Sequence, residues 1–459
     1  MSAQNLCNPV LRRLVVATLS LAALGASASV LAQSTDTSAR EAALEARVAE
    51  LEKMVNELVK EKQAPAPAAT PAAAPLPKGA QPVQSVSILP NAAPGTSLYV
   101  TGFVKLDANW TDTPDGELGN SASGRDYYVP GQTPIGGRSE GTDFNALAKQ
   151  SRFIVGTNTP LENGDKVTTH FEVDFYGSSL GTQNVSNTYG AVLRQAFIQS
   201  NHWLVGQAWS TFMDVSALPE AVDFIGPTDG VIFIRQPQVR YTTGGFSFAA
   251  ENPQTTFTTY NDVTGAVTSN SSDDGAFPDF IGRYTWKGDW GSVTLAGMAR
   301  ELVYENRPNT GPSTDASTWS AAAAFTGKIK TFGKDDIRFM LLGGNLGRYA
   351  GLNFTNDVVL NSNGDFDTID GFAGYLAYRH FWTEKLRSTA FYAVGSYDNP
   401  NTLNGSAANQ ASESWSLNFF YSPIPKLDIG AEYRWAKREL ENNDSGTLNR
   451  LQFTTKYSF

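Results

Sequence analysis

The sequence is 459 residues long, 41% of it is apolar, and its formal net charge is −10 at pH 7. After residue 33 no stretch approaches the roughly 20 apolar residues that a membrane-spanning helix needs, and the acidic balance argues against a nucleic-acid-binding protein. Two architectures remain, a large soluble β protein or a membrane-spanning β-barrel, whose strands are individually weak hydrophobic signals.

The N-terminus has the features of an export signal. A basic pair, Arg12 and Arg13, precedes a short apolar run and a series of small residues that ends at Ala32. This order predicts a cleaved signal peptide over residues 1–32. The only cysteine, Cys7, lies inside that segment, so the mature chain is expected to contain no thiol.

The next two segments predict a coil and a tether. Residues 38–62 carry apolar side chains at alternating spacings of four and three, which predicts a periplasmic α-helical coiled coil rather than an isolated amphipathic helix. Valine at the a positions and leucine at the d positions favour a parallel dimer, whereas Met54 and Val59 widen the apolar stripe and favour a third helix. Residues 63–95 are rich in Ala and Pro and predict an extended linker. The heptad residues are Leu44, Val48, Leu51, Val55 and Leu58.

Residues 96–459 repeat alternating runs of about ten residues, and the connections between the runs are alternately short and long. In the final run, Leu451 to Phe459, apolar and polar side chains alternate strictly, as in a strand with one face in lipid and one in water. A soluble β-sandwich also contains such strands, but the alternation of connection lengths favours a barrel. The predicted fold is all-β, a sixteen-stranded antiparallel transmembrane β-barrel with a short N-terminal α-helical coiled coil.

Basic side chains fall on the polar faces of many predicted strands. Guanidinium groups stay charged and bind carboxylates through two hydrogen bonds, so a lumen lined in this way is expected to attract small anions. The alternative is that the arginines pair with wall carboxylates such as Glu172 and Asp174. The predicted pore-lining and solute-binding residues are Lys105, Arg152, Arg194, Arg240, Arg283, Arg300 and Arg338.

The third long connection, residues 211–230, is too apolar for a solvated loop. We expect it to fold into the barrel and constrict the pore, although packing on a neighbouring subunit is an alternative. In the constriction, Asp214, Glu220 and Asp223 would face the arginines, and the opposed charges would create a transverse field that sorts solutes.

Several segments resemble the DcaP-like porins. The resemblance rests on Gln150-Ser151-Arg152, on the segment from Gly206 to Asp214, on that from Arg235 to Tyr241, and on the order of signal, coil, tether and barrel. It implies a homotrimeric porin of the outer membrane, with its N-terminal segment in the periplasm, that passes small dicarboxylates and similar anions.

The predicted function is passive diffusion of small anionic solutes, with copies of the same chain and outer-membrane lipids as partners. The alternative is a general porin, or one for other solutes, whose main role is to link the outer membrane to the cell wall through the coil. Gly177–Gly181 matches the G-x-S-x-G pattern of hydrolases around Ser179, but the required strand–turn–helix context is missing, so no enzyme activity is expected. No cofactor or metal is predicted. The run from Asn361 to Asp367 faintly resembles a calcium loop, but a solvated turn is favoured over a divalent-ion site there. The three histidines are widely separated: His170, His202 and His380.

Overall fold

The computed structural model describes residues 49, 50, 53, 95–139, 141–178, 180, 187–308 and 313–459. The chain divides into two compact units, Met1–Ala80 and Gln81–Phe459. In the first unit Ala49, Glu50 and Lys53 are helical. The rest of the predicted coil, the signal peptide and all but the last residue of the linker lie outside the described residues. No helix among the described residues is long and apolar enough to cross a membrane.

The second unit contains an antiparallel β-barrel. Its described strands occupy sixteen positions, as predicted, because β2 and β3 both pair with β1 and together fill one position. Pairing of β1 with β21 closes the barrel. The strands are β1 (Ser97–Asp112), β2 (Asp143–Leu147), β3 (Arg152–Pro160), β4 (Lys166–Asp174), β5 (Val192–Ser200), β6 (Trp203–Trp209), β7 (Arg235–Thr243), β8 (Phe246–Glu251), β11 (Asp279–Gly288), β12 (Gly291–Asn306), β13 (Thr314–Lys330), β14 (Asp336–Gly344), β17 (Asp370–Phe381), β18 (Leu386–Asp398), β19 (Asn409–Tyr421), β20 (Leu427–Leu440) and β21 (Ser445–Ser458).

Alternation along the strands separates an apolar outside from a polar inside. In β21, Leu451 and Phe453 are 40% and 44% exposed, whereas Gln452 and Thr454 are 3% and 4% exposed. This confirms the faces predicted for the final strand. An arginine or lysine on the outer face would cost about 2–4 kcal/mol at the bilayer midplane, which explains why arginines such as Arg434 and Arg450 face inward. Glu413, by contrast, shares the outward face of Trp415 nearer the loop end.

The break between β2 and β3 was not predicted, since residues 144–157 read as one strand. At the break, the Ser151 side chain takes the place of the backbone hydrogen bonds between neighbouring strands. Its Oγ accepts a hydrogen bond from the Lys105 amide at 3.0 Å and donates one to the Lys105 carbonyl at 3.2 Å. The irregular segment also brings the Gln150 side chain to the Lys105 ammonium group.

The connections at the two ends of the barrel differ in length. Short turns lie at one end, here called the turn end, and the opposite end, the loop end, carries most of the long connections. Contrary to the prediction, L5 and L8 are short, and L8 is short because β20 and β21 extend to Leu440 and Ser445, with Asn443 supplying a positive φ of 65° for the tight turn. The loops are L1 (113–142), L2 (175–191), L3 (210–234), L4 (252–278), L5 (307–313), L6 (345–369), L7 (399–408) and L8 (441–444).

A second, four-stranded sheet forms from L4 and L6, in which no strand was predicted. It consists of β9 (Thr255–Asn261), β10 (Ala266–Ser272), β15 (Val358–Leu360) and β16 (Phe366–Thr368), with β15 parallel to β9. Six short 3-10 helices complete the described structure: Ser123–Arg125, Pro130–Gln132, Val215–Ala217, Thr228–Gly230, Gly347–Tyr349 and Asn401–Leu403.

Candidate functional site

L3 packs against the inner face of the barrel, as its apolar composition predicts. Phe212 and Met213 are each 1% exposed and belong to one hydrophobic cluster with Met298 and Met340 of the barrel wall. Removing such side chains from water stabilises the packed loop, at about 1.5–3 kcal/mol for each fully buried large side chain.

The backbone of L3 is held by charged side chains of the wall. Lys105 Nζ donates to the Val222 carbonyl at 2.8 Å, and Glu432 accepts a hydrogen bond from the Val222 amide at 2.7 Å. Arg434 Nη2 donates to the Gly226 carbonyl at 2.7 Å. Buried backbone groups need such partners. Lys105 is only 4% exposed and binds the L3 backbone. Its position therefore differs from the predicted one, in which its side chain lines the pore.

The acidic side chains of L3 have partners of their own. Glu220 forms a two-pronged ion pair with Arg387, with both N–O distances 2.7 Å. Asp214 Oδ2 accepts a hydrogen bond from Thr326 at 2.8 Å, and Asp223 accepts one from a backbone amide of L1 at 2.9 Å. For Glu220 and Asp223 these contacts differ from the predicted arrangement, in which the acids face the predicted arginines across an open gap: Arg387 lies outside the predicted set.

L1 covers L3 through Tyr128, which has no exposed surface. Its backbone amide is the donor to Asp223, and its hydroxyl donates to Asp229 Oδ1 at 2.8 Å. Burial raises the pKa of the Asp229 carboxyl above its ordinary value, because its effect exceeds that of the hydrogen bonds from Ser414 and Tyr128, which act to lower the pKa. Two loops are thus joined by polar contacts away from water.

The arginines of β3 and β5 are paired with acids of β4. Arg152 Nη1 lies 2.7 Å from Glu172 and its Nη2 lies 3.0 Å from Asp174. Arg194 Nε lies 2.7 Å from the same Asp174 oxygen. These ion pairs agree with the alternative given in the sequence analysis, in which the arginines pair with carboxylates of the barrel wall.

A β-bulge sets the orientation of Arg194. The register between β4 and β5 shifts between Glu172 and Val173, so β5 contains one extra residue. Arg194 and Gln195 are consecutive, yet both reach carboxylates on β4; Gln195 Nε2 lies 2.6 Å from Glu172. A bulge re-aims a side chain in this way, and strict alternation cannot predict it.

Arg283 and Arg338 hold further carbonyl groups of L3. Arg283 Nη1 donates to the Met213 carbonyl at 3.0 Å. Arg338 donates to the Leu218 carbonyl and forms an ion pair with Asp336 at 2.6 Å. Both arginines therefore combine a place on the inner wall with a role in fastening the loop.

Arg300 is fully buried, unlike the predicted pore-lining position. Its Nη1 lies 2.6 Å from Asp357 of L6 and its Nε lies 3.2 Å from Asp279. Arg348 of L6 lies 2.7 Å from the same Asp279, and the Thr256 amide of β9 donates to Asp357 at 2.8 Å. This buried network joins the wall, L4 and L6, and its guanidinium has no surface for a solute to contact.

Arg240 lines an open cavity beside L3. The cavity has a volume of about 540 Å³ and is also lined by Arg283, Lys287, and Asp214 and Ser216 of L3. Within the described part of the chain, Arg240 has no carboxylate within 4.0 Å. Among the predicted residues, Arg240, Arg283 and Asp214 are thus brought together.

Sequence reasoning missed Arg235, Arg387 and Lys287. Arg235 lies over Trp209, with 3.6 Å between guanidinium carbon and ring centroid, and its Nε and Nη2 are buried without a hydrogen-bond partner in the described structure. Lys287 lies at the end of β11, next to the turn, where apolar and polar residues no longer alternate. Arg387 lies on the same, inward face of β18 as Phe391, which is 3% exposed. An aromatic residue on the polar face breaks the alternation, so the sequence does not show that Arg387 points inward.

The comparison with known protein families decides the assignment. The family model described as "DcaP outer membrane protein" matches residues 28–459. The chain belongs to this family. A search of curated proteins found no match.

Solved structures include a member of the DcaP family with the same fold. The chain is similar to the outer membrane channel DcaP of Acinetobacter baumannii, with 22% identity, a TM-score of 0.64, and coverage of 80% of this chain and 99% of that chain. It also matches OmpF of Salmonella typhi (13% identity, TM-score 0.49, 80% and 98% coverage) and OmpT of Vibrio cholerae (13% identity, TM-score 0.47, 80% and 99% coverage). The DcaP family and the barrel identify an outer-membrane porin. Ser179, the residue of the hydrolase alternative, lies outside the described residues.

Proposed function

We propose that this porin passes small anions, dicarboxylates among them, by passive diffusion past a constriction formed by L3. The observation that carries the proposal is Arg240, whose guanidinium lacks a carboxylate partner in the described structure and lines the cavity beside L3 with Arg283 and Lys287. Cations around an aqueous path raise the local concentration of anions.

The anchors of L3 support the constriction. Near its beginning the loop is tied to β11 through Arg283, and farther along it is tied to β18 through Arg387 and to β20 through Arg434. Because these strands occupy different sides of a closed barrel, a segment fastened to all of them crosses the lumen. The cross-section left for a solute is then smaller than the barrel itself.

The pairing of charges changes the proposed basis of selectivity. Glu220 is occupied by Arg387, and Arg152 is occupied by Glu172 and Asp174. A transverse field between free acids and free arginines is therefore replaced by a local excess of positive charge at Arg240. In this proposal, the preference for anions depends on the cations of one cavity, Arg240, Arg283 and Lys287.

Replacing Arg240 by alanine is expected to reduce the flux of succinate more than the flux of a neutral sugar. One unit charge about 4 Å from a passing anion contributes about 1 kcal/mol in water, which corresponds to roughly a fivefold change in the succinate-to-sugar flux ratio. Liposome swelling with both solutes measures this ratio.

Lys385→Ala is the matched control, because Lys385 is an exposed cation in the turn between β17 and β18. It should leave the flux ratio unchanged. If Arg240→Ala lowers both fluxes equally, Arg240 supports the wall and does not select anions.

We further propose that the porin is a homotrimer with its N-terminal segment in the periplasm. The resemblance to DcaP-like porins implies both features. With sixteen strand positions the barrel begins and ends at the turn end, which faces the periplasm in barrels of this kind. Analytical ultracentrifugation in detergent should give three chains per particle, and a single-chain mass in mild detergent would contradict the trimer.

A further inference from the structure

The cavity that contains Arg240 lies on one side of L3. Its upper boundary is the start of L3, from Ser210 to Ser216, and its lower part reaches Lys287 and Gly288 at the turn between β11 and β12. It therefore lies between L3 and the turn end of the barrel.

The polar groups of this cavity are suited to an anion. Three cations line it, Arg240, Arg283 and Lys287, together with the hydroxyl groups of Thr285 and Ser292. Hydroxyl groups and cations together donate hydrogen bonds to carboxylate or phosphate oxygens.

Asp214, the one acid among the described residues that line the cavity, already has hydrogen-bond partners. Asp214 Oδ1 accepts hydrogen bonds from the Ser216 amide at 3.0 Å and the Ser216 hydroxyl at 2.6 Å, and its Oδ2 accepts one from Thr326 at 2.8 Å. Among the described residues these neutral donors are its close partners, and none of the three cations lies within 4.0 Å of its carboxylate. Three cations against one carboxylate leave the cavity with an excess of positive charge for a solute to meet.

Arg283 also has unused capacity. One of its terminal nitrogens donates to the carbonyls of Thr211 and Met213, at 3.4 Å and 3.0 Å, which fixes the guanidinium in place. Its other terminal nitrogen, Nη2, makes no hydrogen bond among the described residues and is not enclosed, so it is left for a solute. A fixed guanidinium loses less side-chain freedom when it binds a ligand.

We infer that this cavity is a holding site for a small dianion on the turn side of L3, and that it makes the channel asymmetric. A dianion that enters from the turn end reaches Arg240, Arg283 and Lys287 without passing L3. One that enters from the loop end must pass the constriction first. This inference rests on the proposed function, because it assumes that solutes cross the lumen beside L3.

The test is current block in a planar bilayer, with succinate added to one chamber at a time and acetate as the monovalent comparison. The orientation of inserted channels is assigned with a Val263→Cys variant, labelled by an impermeant maleimide. Val263 is 95% exposed at the loop end, and the only natural cysteine lies in the predicted signal peptide. Succinate is expected to block from the turn end at roughly tenfold lower concentration than from the loop end, since more than one unit charge acts on it.

Arg240→Gln and Lys287→Gln should each reduce this difference, and Lys385→Gln, a cation outside the cavity, should preserve it. A heat-modifiable band on gels confirms that each variant forms a barrel. Equal block from both sides in channels that still prefer anions overturns the holding site and leaves the proposed function intact. A reversal potential that shows cation preference overturns the proposed function itself.

Discussion

Replacing Arg300 by leucine is expected to lower the free energy of unfolding by about 3–5 kcal/mol, the usual cost of removing one partner of a buried ion pair. The change leaves Asp279 and Asp357 buried, and among the described residues Asp279 keeps the Arg348 guanidinium and the Tyr349 hydroxyl as partners. Urea unfolding in lipid vesicles measures the loss, and limited proteolysis should show earlier cleavage in L6.

Arg307→Leu is the matched control. Arg307 also has two acidic partners, Glu305 at 3.1 Å and Asp315 at 3.3 Å, but its side chain is 65% exposed. Exposed ion pairs contribute at most about 1 kcal/mol, so this variant should remain close to the natural protein. Similar losses in both variants would show that burial does not set the strength of the Arg300 network.

The Arg300 effect should also depend on pH. Burial acts to raise the pKa of Asp357, but Arg300 and hydrogen bonds outweigh it and hold the pKa below its ordinary value of 3.8. A group whose pKa is lowered by folding stabilises the fold above its ordinary pKa, and this contribution is lost as the pH falls through the lowered value. The stability difference between the natural protein and Arg300→Leu should therefore be largest near neutral pH and should shrink below about pH 4.

Replacing Arg387 by leucine is expected to free part of L3 and to raise the single-channel conductance. The variant loses both hydrogen bonds to Glu220, and hydrogen bonds to charged groups contribute about 1.5–3 kcal/mol each. The released Glu220 carboxylate should also weaken anion preference. Single-channel recordings give the conductance, and reversal potentials in a salt gradient give the selectivity.

Arg379→Leu tests whether any loss of a neighbouring arginine has the same result. Arg379 lies 3.9 Å from Glu220, but its close partner is Asp336, which also pairs with Arg338. L3 should stay in place and the conductance should not change. An unchanged conductance in Arg387→Leu would mean that the remaining anchors are sufficient.

The strand architecture was largely predictable because alternation is a local property. Each pair of neighbours, such as Gln452 and Phe453, shows the face it occupies without reference to the rest of the chain. The short L8 was missed because β20 and β21 continue beyond the apolar belt, where both faces of a strand are polar and alternation disappears. The break at Ser151 depends on a side chain that substitutes for backbone hydrogen bonds.

Partners of charged residues were much less predictable than their faces. Arg240 and Arg300 both follow the inward parity of their strands, yet one lines a cavity and the other is enclosed by acids from L6 and β11. The difference comes from where L6 folds, which no local pattern in β12 contains. The partner of Glu220 is similarly set by the path of L3 across the barrel.

In the proposed orientation, with the turn end in the periplasm, the hairpin of β9 and β10 offers a place to carry foreign peptides on a cell surface. Its tip is outside the buried network: the Asn261 side chain accepts hydrogen bonds from the amides of Val263 and Thr264, and a Cβ at Gly265 would meet no atom within 4 Å. Exposed tips of this kind tolerate insertions. An antigenic sequence spliced at Val263 would be displayed to antibodies while the Arg300 network keeps the base of the loop in place.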